Sequence, residues 1–256
     1  MSDDSAAIGS EALLRLSPRA PGIACGRYVA THLVLVPIAI ALAAWTCQHS
    51  GADMALTQLF VDATGQRFPW ADSAPLDILG HQAARGLPFL VGAGAIAGGL
   101  CGLAVRALRT WSPILLTIGA AMVVGPLLVN VLKAMTTQHC PIALQSFGGI
   151  VDYAADRDGP FWAASSQSAG RCLPSGHASG GYALLALYFG GWAAGAPAWR
   201  WRGLAIGIGA GVLFSAVRVI QGAQFASATL WSAAVDWSVG AAFFLPLLCR
   251  AKTLPT

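Results

Sequence analysis

Charged residues are scarce in this chain. Asp, Glu, Lys and Arg make up 10% of the 256 residues, while 56% are hydrophobic. Soluble domains carry about 25% charged residues, so this composition excludes an ordinary soluble domain. The net charge of +4 is small and reflects the placement of basic residues at the membrane, so no nucleic-acid partner is predicted. The six Cys residues lack the spacing of a zinc site, and we predict no metal and no other cofactor.

Long apolar runs take the place of the missing charge. A membrane-spanning helix needs about 20 apolar residues, and six runs of roughly that length are present, at 28–47, 87–105, 112–132, 177–196, 203–220 and 229–248. The sequence therefore predicts an all-α integral membrane bundle of six helices over residues 28–250. A polar cytoplasmic tail, residues 1–27, precedes it.

The basic residues predict the orientation of these helices. The short segments 106–111 and 197–202 each contain two Arg, and short loops rich in Arg stay on the cytoplasmic side. Both termini are then cytoplasmic, and the longer segments 48–86 and 134–175 lie outside. Polar residues of the first outer segment, including Asp77 and His81, are predicted to be solvated. Cys140 and Cys172 both fall in the second outer segment, where a disulfide can form, and the sequence fits either a disulfide or two free thiols.

The sequence Pro174-Ser175-Gly176-His177 marks the outer start of the fourth run. Pro and Ser favour the opening of a helix, and a helix N-terminus binds phosphate through its free N–H groups. Gly176 lets a ligand approach the backbone, and His177 could give a proton to a leaving group. The alternative is an ordinary capped helix with one polar residue at its mouth.

Two cationic residues stand at the outer ends of other predicted helices. Lys133 ends the third run and Arg218 lies near the end of the fifth. Either could simply extend its charge to the membrane surface. A phosphate ligand explains Arg218 better, because an intramembrane charge is costly without a partner and a guanidinium binds phosphate oxygens as a planar fork.

These three stretches together resemble the signature motifs of the type 2 phosphatidic acid phosphatase superfamily. The family pattern is Lys-x6-Arg-Pro, then Pro-Ser-Gly-His, then Ser-Arg-x5-His-x3-Asp. Here Lys133 and Pro141 have the first spacing, with Cys140 in the Arg position, and the second motif is complete. Arg218 matches the third motif, with Gln224 and Ala228 at its His and Asp positions.

A bacterial branch of the superfamily is similar in more detail. It has Lys-x-x-Thr-x3-Cys-Pro as its first motif and His-Ala-Ser-Gly-Gly in its second, which residues 133–141 and 177–181 match. Its third motif reads Gly-Ala-His-Phe-x-Ser-His, so the departures here are confined to Gln224 and Ala228.

The resemblance implies a metal-free mechanism at an outward-facing site. Lys133, Ser175, Gly176 and Arg218 would hold the phosphoryl oxygens. A third-motif His, whose place Gln224 takes, would attack phosphorus and form a phosphohistidine, oriented by the residue whose place Ala228 takes. His177 would protonate the leaving oxygen.

A carboxamide cannot form that phosphoenzyme. The sequence is consistent with an engineered, inactivated phosphatase or with a natural relative that binds lipid phosphates without cleaving them. A relocated nucleophile is a third explanation, for which His139 is the nearest candidate. Arg171 is a further candidate for the site.

We therefore expect a bacterial inner-membrane lipid phosphatase or phosphotransferase with its site facing the periplasm and with little activity as the sequence stands. Its partners would be the bilayer and a lipid phosphate: lipid A or another phospholipid, with undecaprenyl pyrophosphate next. The alternatives are a non-catalytic lipid-phosphate-binding protein and a small transporter. Inverted repeats would favour the transporter, and none is evident in the sequence.

Overall fold

The computed structural model describes residues 25–154 and 170–249, and within these ranges the chain is helical with no β-strand. Seven helical elements organise them: α1 (Cys25–His49), α2 (Ala52–Gln58), α3 (Ala74–Ala104), α4 (Ser112–Met135), α5 (residues 176–193), α6 (Pro197–Ile220) and α7 (Ala226–Leu248). Two of the long helices contain a wider π-helical turn, at Val29–Leu35 in α1 and at Ile78–Ala83 in α3.

Five of the predicted membrane spans are supported by the structure. By length and composition, α1, α3, α4, α6 and α7 can each cross a membrane. The remaining run forms α5, which has a 3-10 turn at Ala183–Leu185 between two α-helical pieces. Its residues 176–193 span about 27 Å at 1.5 Å per residue, slightly less than a typical hydrocarbon core of about 30 Å.

Several predicted boundaries need correction. The segment 197–202, expected to be a loop, forms the first turns of α6, because Pro197 opens that helix. Gly195, with φ of 65°, completes the tight turn that precedes it. α3 begins at Ala74 instead of residue 87, and α1 begins at Cys25. The rest of the predicted tail, residues 1–24, lies outside the described residues, as does 155–169 in the second outer segment.

α5 is the centre of the bundle. It packs against α3, α4, α6 and α7, and its large side chains, among them Leu184, Tyr188 and Phe189, are almost completely buried. α1 instead lies on the outside of the bundle along α7. The last residues of α4 and α6 and the first residues of α3, α5 and α7 share one end of the bundle, which we call the motif end.

Glycines set the distance between α5 and its neighbours. A Cβ on Gly181 would lie 2.6 Å from the Cα of Gly211, and a Cβ on Gly211 would lie 2.2 Å from the ring of Tyr182. On the other side of α5, a Cβ on Gly180 would lie 2.4 Å from the carbonyl oxygen of Ala84 in α3. Small residues allow such close backbone approach between membrane helices, and here they allow α3 and α6 to pack directly against α5.

Gly211→Ala tests whether this close packing holds the bundle together. The added methyl collides with Tyr182, and overpacking of a tight core costs about 1–3 kcal/mol. We expect a clearly lower midpoint of thermal unfolding in detergent. Gly209→Ala is the matched control on the same helix, since a Cβ there meets nothing within 4 Å. Equal midpoints for the two variants would contradict the packing described here.

Candidate functional site

Ser175 is the N-cap of α5, as predicted. Its hydroxyl oxygen accepts a hydrogen bond from the Ala178 N–H (3.4 Å), and its own N–H donates to the carbonyl of Ala228 (3.0 Å). The Ser232 hydroxyl donates to the carbonyl of Ser175 (2.8 Å). These bonds fasten the start of α5 to the first turns of α7, and Ser175 is completely buried.

A disulfide joins the first and second motifs. Cys140 and Cys172 are bonded, with their Cα atoms 5.2 Å apart, which decides between the two alternatives that the sequence left open. The Cys172 N–H also donates to the Gln138 carbonyl (2.9 Å), and the Thr136 hydroxyl donates to the carbonyl of Leu173. The segment after α4 is thus held directly against the segment that leads into α5.

The cationic residues of the motifs meet at the motif end. Lys133, in the last turn of α4, and Arg218, near the end of α6, are both half-buried, and their charges act on each other and on His177. Arg218 Nη1 donates to the side-chain oxygen of Gln221 (3.0 Å). The Nε of Arg218 is buried and has no hydrogen-bond partner among the residues that the structure describes. The described residues therefore leave one buried donor of this guanidinium unsatisfied.

His177 contacts a residue that the sequence did not indicate. Its Nε2 lies 2.8 Å from Nδ1 of His81, with the ring centroids 4.8 Å apart. His81, expected to be solvated, is half-buried. The expectation was wrong because the segment 74–86, predicted to lie outside the membrane runs, is the start of α3. Its π-helical turn packs against α6, and His81 in that turn contacts His177 of α5.

A cavity of about 460 Å³ opens between α3 and α4. Its polar end is formed by Arg85, Asn130, Lys133, Gly176 and His177. Its remaining walls are mostly apolar and are formed by buried residues, such as Pro88 and Met122, and by residues nearer the bundle surface: Phe89, Ile96 and Val123. Phe89 is 72% exposed and Val123 52%, so the apolar part of the cavity is continuous with the surface that would face lipid.

Arg85 is the second residue of the site that sequence reasoning missed. It lines the cavity together with Lys133, and its charge acts on His177. The only sequence signal was its position four residues after His81, which places both on one face of a helix.

The two departures from the third motif lie close to the start of α5 but not in the cavity wall. Gln224 and Ala228 are each only 2% exposed, and the carbonyl of Ala228 accepts the Ser175 N–H. The side-chain oxygen of Gln224 has no hydrogen-bond partner in the described part of the chain. The start of α7 beside these residues is held by Asp53. Its carboxylate accepts hydrogen bonds from the N–H (2.9 Å) and the hydroxyl of Ser227.

The two further candidates lie elsewhere. His139 lines a separate pocket of about 30 Å³ with Asp53, Gln138 and Ser227. Arg171 is exposed, with φ of 49°. The structure thus brings Lys133, Gly176 and His177 to one cavity, with Ser175 beneath it and Arg218 within electrostatic range.

The structure is thus a helical membrane bundle with a partly cationic, partly apolar cavity at the motif end. Residues 114–247 match the PAP2 superfamily, which covers more than half of the chain and all three motifs. The protein belongs to this superfamily, whose members are generally phosphatases or phosphotransferases acting on lipid phosphates. Neither a curated protein nor a solved structure matches the chain.

Replacing both Cys140 and Cys172 with Ser tests the covalent link between the motifs. Loss of a native disulfide typically costs about 2–4 kcal/mol, so we expect a markedly lower thermal midpoint in detergent. Cys101→Ser, at an exposed free cysteine, is the control and should leave the midpoint unchanged. A double variant as stable as this control would show that the disulfide does not stabilise the site.

Proposed function

We propose that this protein binds a membrane lipid phosphate in the cavity between α3 and α4, with the phosphate at the polar end and the chains along the apolar walls. The observation that carries the proposal is the cavity itself: Arg85 and Lys133 stand at one end, and exposed apolar side chains such as Phe89 form the rest. An anionic head and an apolar tail fit these two parts.

Backbone groups add to the cationic side chains. The first amides of a helix have no partner within the helix, and that of Ala178 is taken by the Ser175 hydroxyl. The amides of Gly176 and His177 are then the ones that can meet a phosphate at the mouth of α5. Arg218 adds a charged fork, which binds phosphate oxygens strongly. Lys133, Ser175, Gly176 and Arg218 keep the phosphate-binding roles that the motifs imply, with Ser175 acting through the cap.

The residues at positions 224 and 228 impair removal or transfer of the phosphate, but not its binding. The reaction of the superfamily would need a nucleophilic His at position 224, where the carboxamide of Gln224 has no basic nitrogen to attack phosphorus. Ala228 cannot orient a nucleophile. We infer that the protein retains lipid binding but removes or transfers phosphate very slowly. His177 remains in place as the proton donor to the leaving oxygen. The transporter alternative has no comparable support, whereas the cavity and the family match both favour a lipid-phosphate site.

The compartment follows from the same features. A disulfide at the motif end favours an oxidising compartment, and Arg106 and Arg109 stand at the opposite end of the bundle, as the positive-inside rule requires. We propose a multi-pass protein of a bacterial inner membrane, with cytoplasmic termini and a site open to the periplasm. Lipid A or another phospholipid is the preferred substrate class, followed by undecaprenyl pyrophosphate.

Lys133→Gln should weaken binding of phosphatidic acid in nanodiscs. A hydrogen bond to a charged group is worth about 1.5–3 kcal/mol, so we expect a loss of affinity of at least about 10-fold, measured as binding of a fluorescent phosphatidic acid. Arg109→Gln, at the opposite end of the bundle, is the matched control and should bind as the original does. Equal affinity of the two variants would place the lipid elsewhere.

A Gln224→His, Ala228→His double variant should release phosphate from a lipid phosphate panel that the original protein leaves intact. The panel comprises phosphatidic acid, lipid A and undecaprenyl pyrophosphate, and inorganic phosphate is measured. Adding His177→Ala should abolish the gain, because the leaving oxygen then lacks its proton donor.

Two results would argue against this reading. Turnover by the original chain but not by the double variant would mean that another nucleophile operates. If neither protein releases phosphate from any lipid, and Lys133→Gln binds phosphatidic acid as the original does, the transporter alternative would be favoured.

A further inference from the structure

The predicted proton donor, His177, is in direct contact with the side chain of His81. The two ring nitrogens lie 2.8 Å apart, which is a hydrogen-bond distance. The other ring nitrogen of His177, Nδ1, is buried and has no hydrogen-bond partner in the described ranges. His177 lines the cavity, and with Nε2 held by His81 the buried Nδ1 is the ring nitrogen without a partner in the described part of the chain.

The packing of the π-helical turn of α3 fixes the position of His81. The π-helical turn Ile78–Ala83 packs against α6, where a Cβ on Gly80 would lie 2.4 Å from Val217 Cγ1 and 3.7 Å from Arg218 Cδ. Gly80 packs closely against α6, and the next residue, His81, contacts His177 at the start of α5. Wide turns of this kind inside α-helices occur frequently at functional sites.

Two imidazoles at this distance must share one proton. Either His81 Nδ1 donates to His177 Nε2, or His177 Nε2 donates to His81 Nδ1. In the first arrangement a neutral His177 carries its own proton on Nδ1, and in the second Nδ1 is bare. The partner of one ring nitrogen therefore decides what the other can do.

We propose that His81 is the positioning residue of His177: its Nδ1–H donates to His177 Nε2 and so keeps the proton of His177 on Nδ1, ready for the leaving oxygen of the lipid phosphate. The inference rests on the proposed function of this cavity. The arrangement fits a site for an anion. Arg85, Lys133 and Arg218 supply positive charge near His177, and the Nδ1–H of His177 adds a donor for the leaving oxygen.

The proton transfer balances when His81 carries one extra proton in the substrate complex. His177 Nδ1 gives its proton to the leaving oxygen as the phosphorus–oxygen bond breaks. At the same time His81 Nδ1 passes its proton to His177 Nε2. His81 changes from imidazolium to neutral imidazole, His177 remains neutral throughout, and the leaving group departs as a hydroxyl. His81 thus has a role in catalysis without contacting the phosphate.

The first test reads the ring protonation directly and needs no activity. The protein is labelled with ¹⁵N in its histidine rings and studied in nanodiscs by solid-state NMR. We expect His177 with its proton on Nδ1 and a bare, hydrogen-bonded Nε2, and we expect loss of this pattern in His81→Phe. A proton on Nε2 of His177, or a pattern unchanged in His81→Phe, would overturn the proposal.

The second test uses the Gln224→His, Ala228→His background. His81→Phe should lower kcat at least about 10-fold, in line with loss of proton-transfer catalysis, with KM changed little. His81→Asn restores a donor near the position of Nδ1 but cannot pass on a proton. It should restore the ring pattern of His177 and only part of kcat. His49→Phe, at an exposed His on α1, is the control for the effect of the substitution itself.

The outcomes separate the two proposals. A full kcat in His81→Phe, or a His81→Asn variant as slow as His81→Phe with an unrestored ring pattern, overturns the role of His81. If the background variant releases no phosphate from any lipid and Lys133→Gln binds phosphatidic acid as the original does, the proposed function fails, and the NMR result still decides the His81–His177 pairing.

Discussion

The burial of one short helix in the middle of the bundle is the constraint on which the site depends. α5 is surrounded by four other helices, so the free amides of its first turn lie at the motif end, among groups that other helices supply. A helix N-terminus carries a partial positive charge that is strongest within its first turn. Because Ser175 is bonded to the backbone of Ala228 and to Ser232, that turn has a fixed position relative to α7.

The cationic groups take their positions from the same packing. The disulfide between Cys140 and Cys172 and the bonds around it hold the end of α4, with Lys133, against the approach to α5. The glycines of α5 and α6 permit close contact between these helices, which brings the charge of Arg218 within electrostatic range of His177. Gathering several cations in a low-dielectric region is costly without an anion, and the proposed lipid phosphate would offset that cost.

The departures at Gln224 and Ala228 are local. Both residues are buried in well-packed surroundings, and the start of α7 is still anchored by Asp53. The scaffold of a phosphate site can therefore persist without its nucleophile, since phosphate binding and nucleophilic attack rely on different side chains. His177 keeps a defined partner, His81, on a helix that none of the three motifs includes.

By itself the sequence determined the helical membrane architecture, five of the spans, the capped start of α5 and the family. Those features depend on apolar run length, on local capping chemistry and on residue spacing, which are properties of neighbouring residues. Only the tertiary structure decided that Cys140 and Cys172 are bonded, that Arg85 lines the cavity and that His81 meets His177. These contacts join segments 32 to 96 residues apart, and they arise from how closely α3, α4 and α5 pack, which no local pattern encodes.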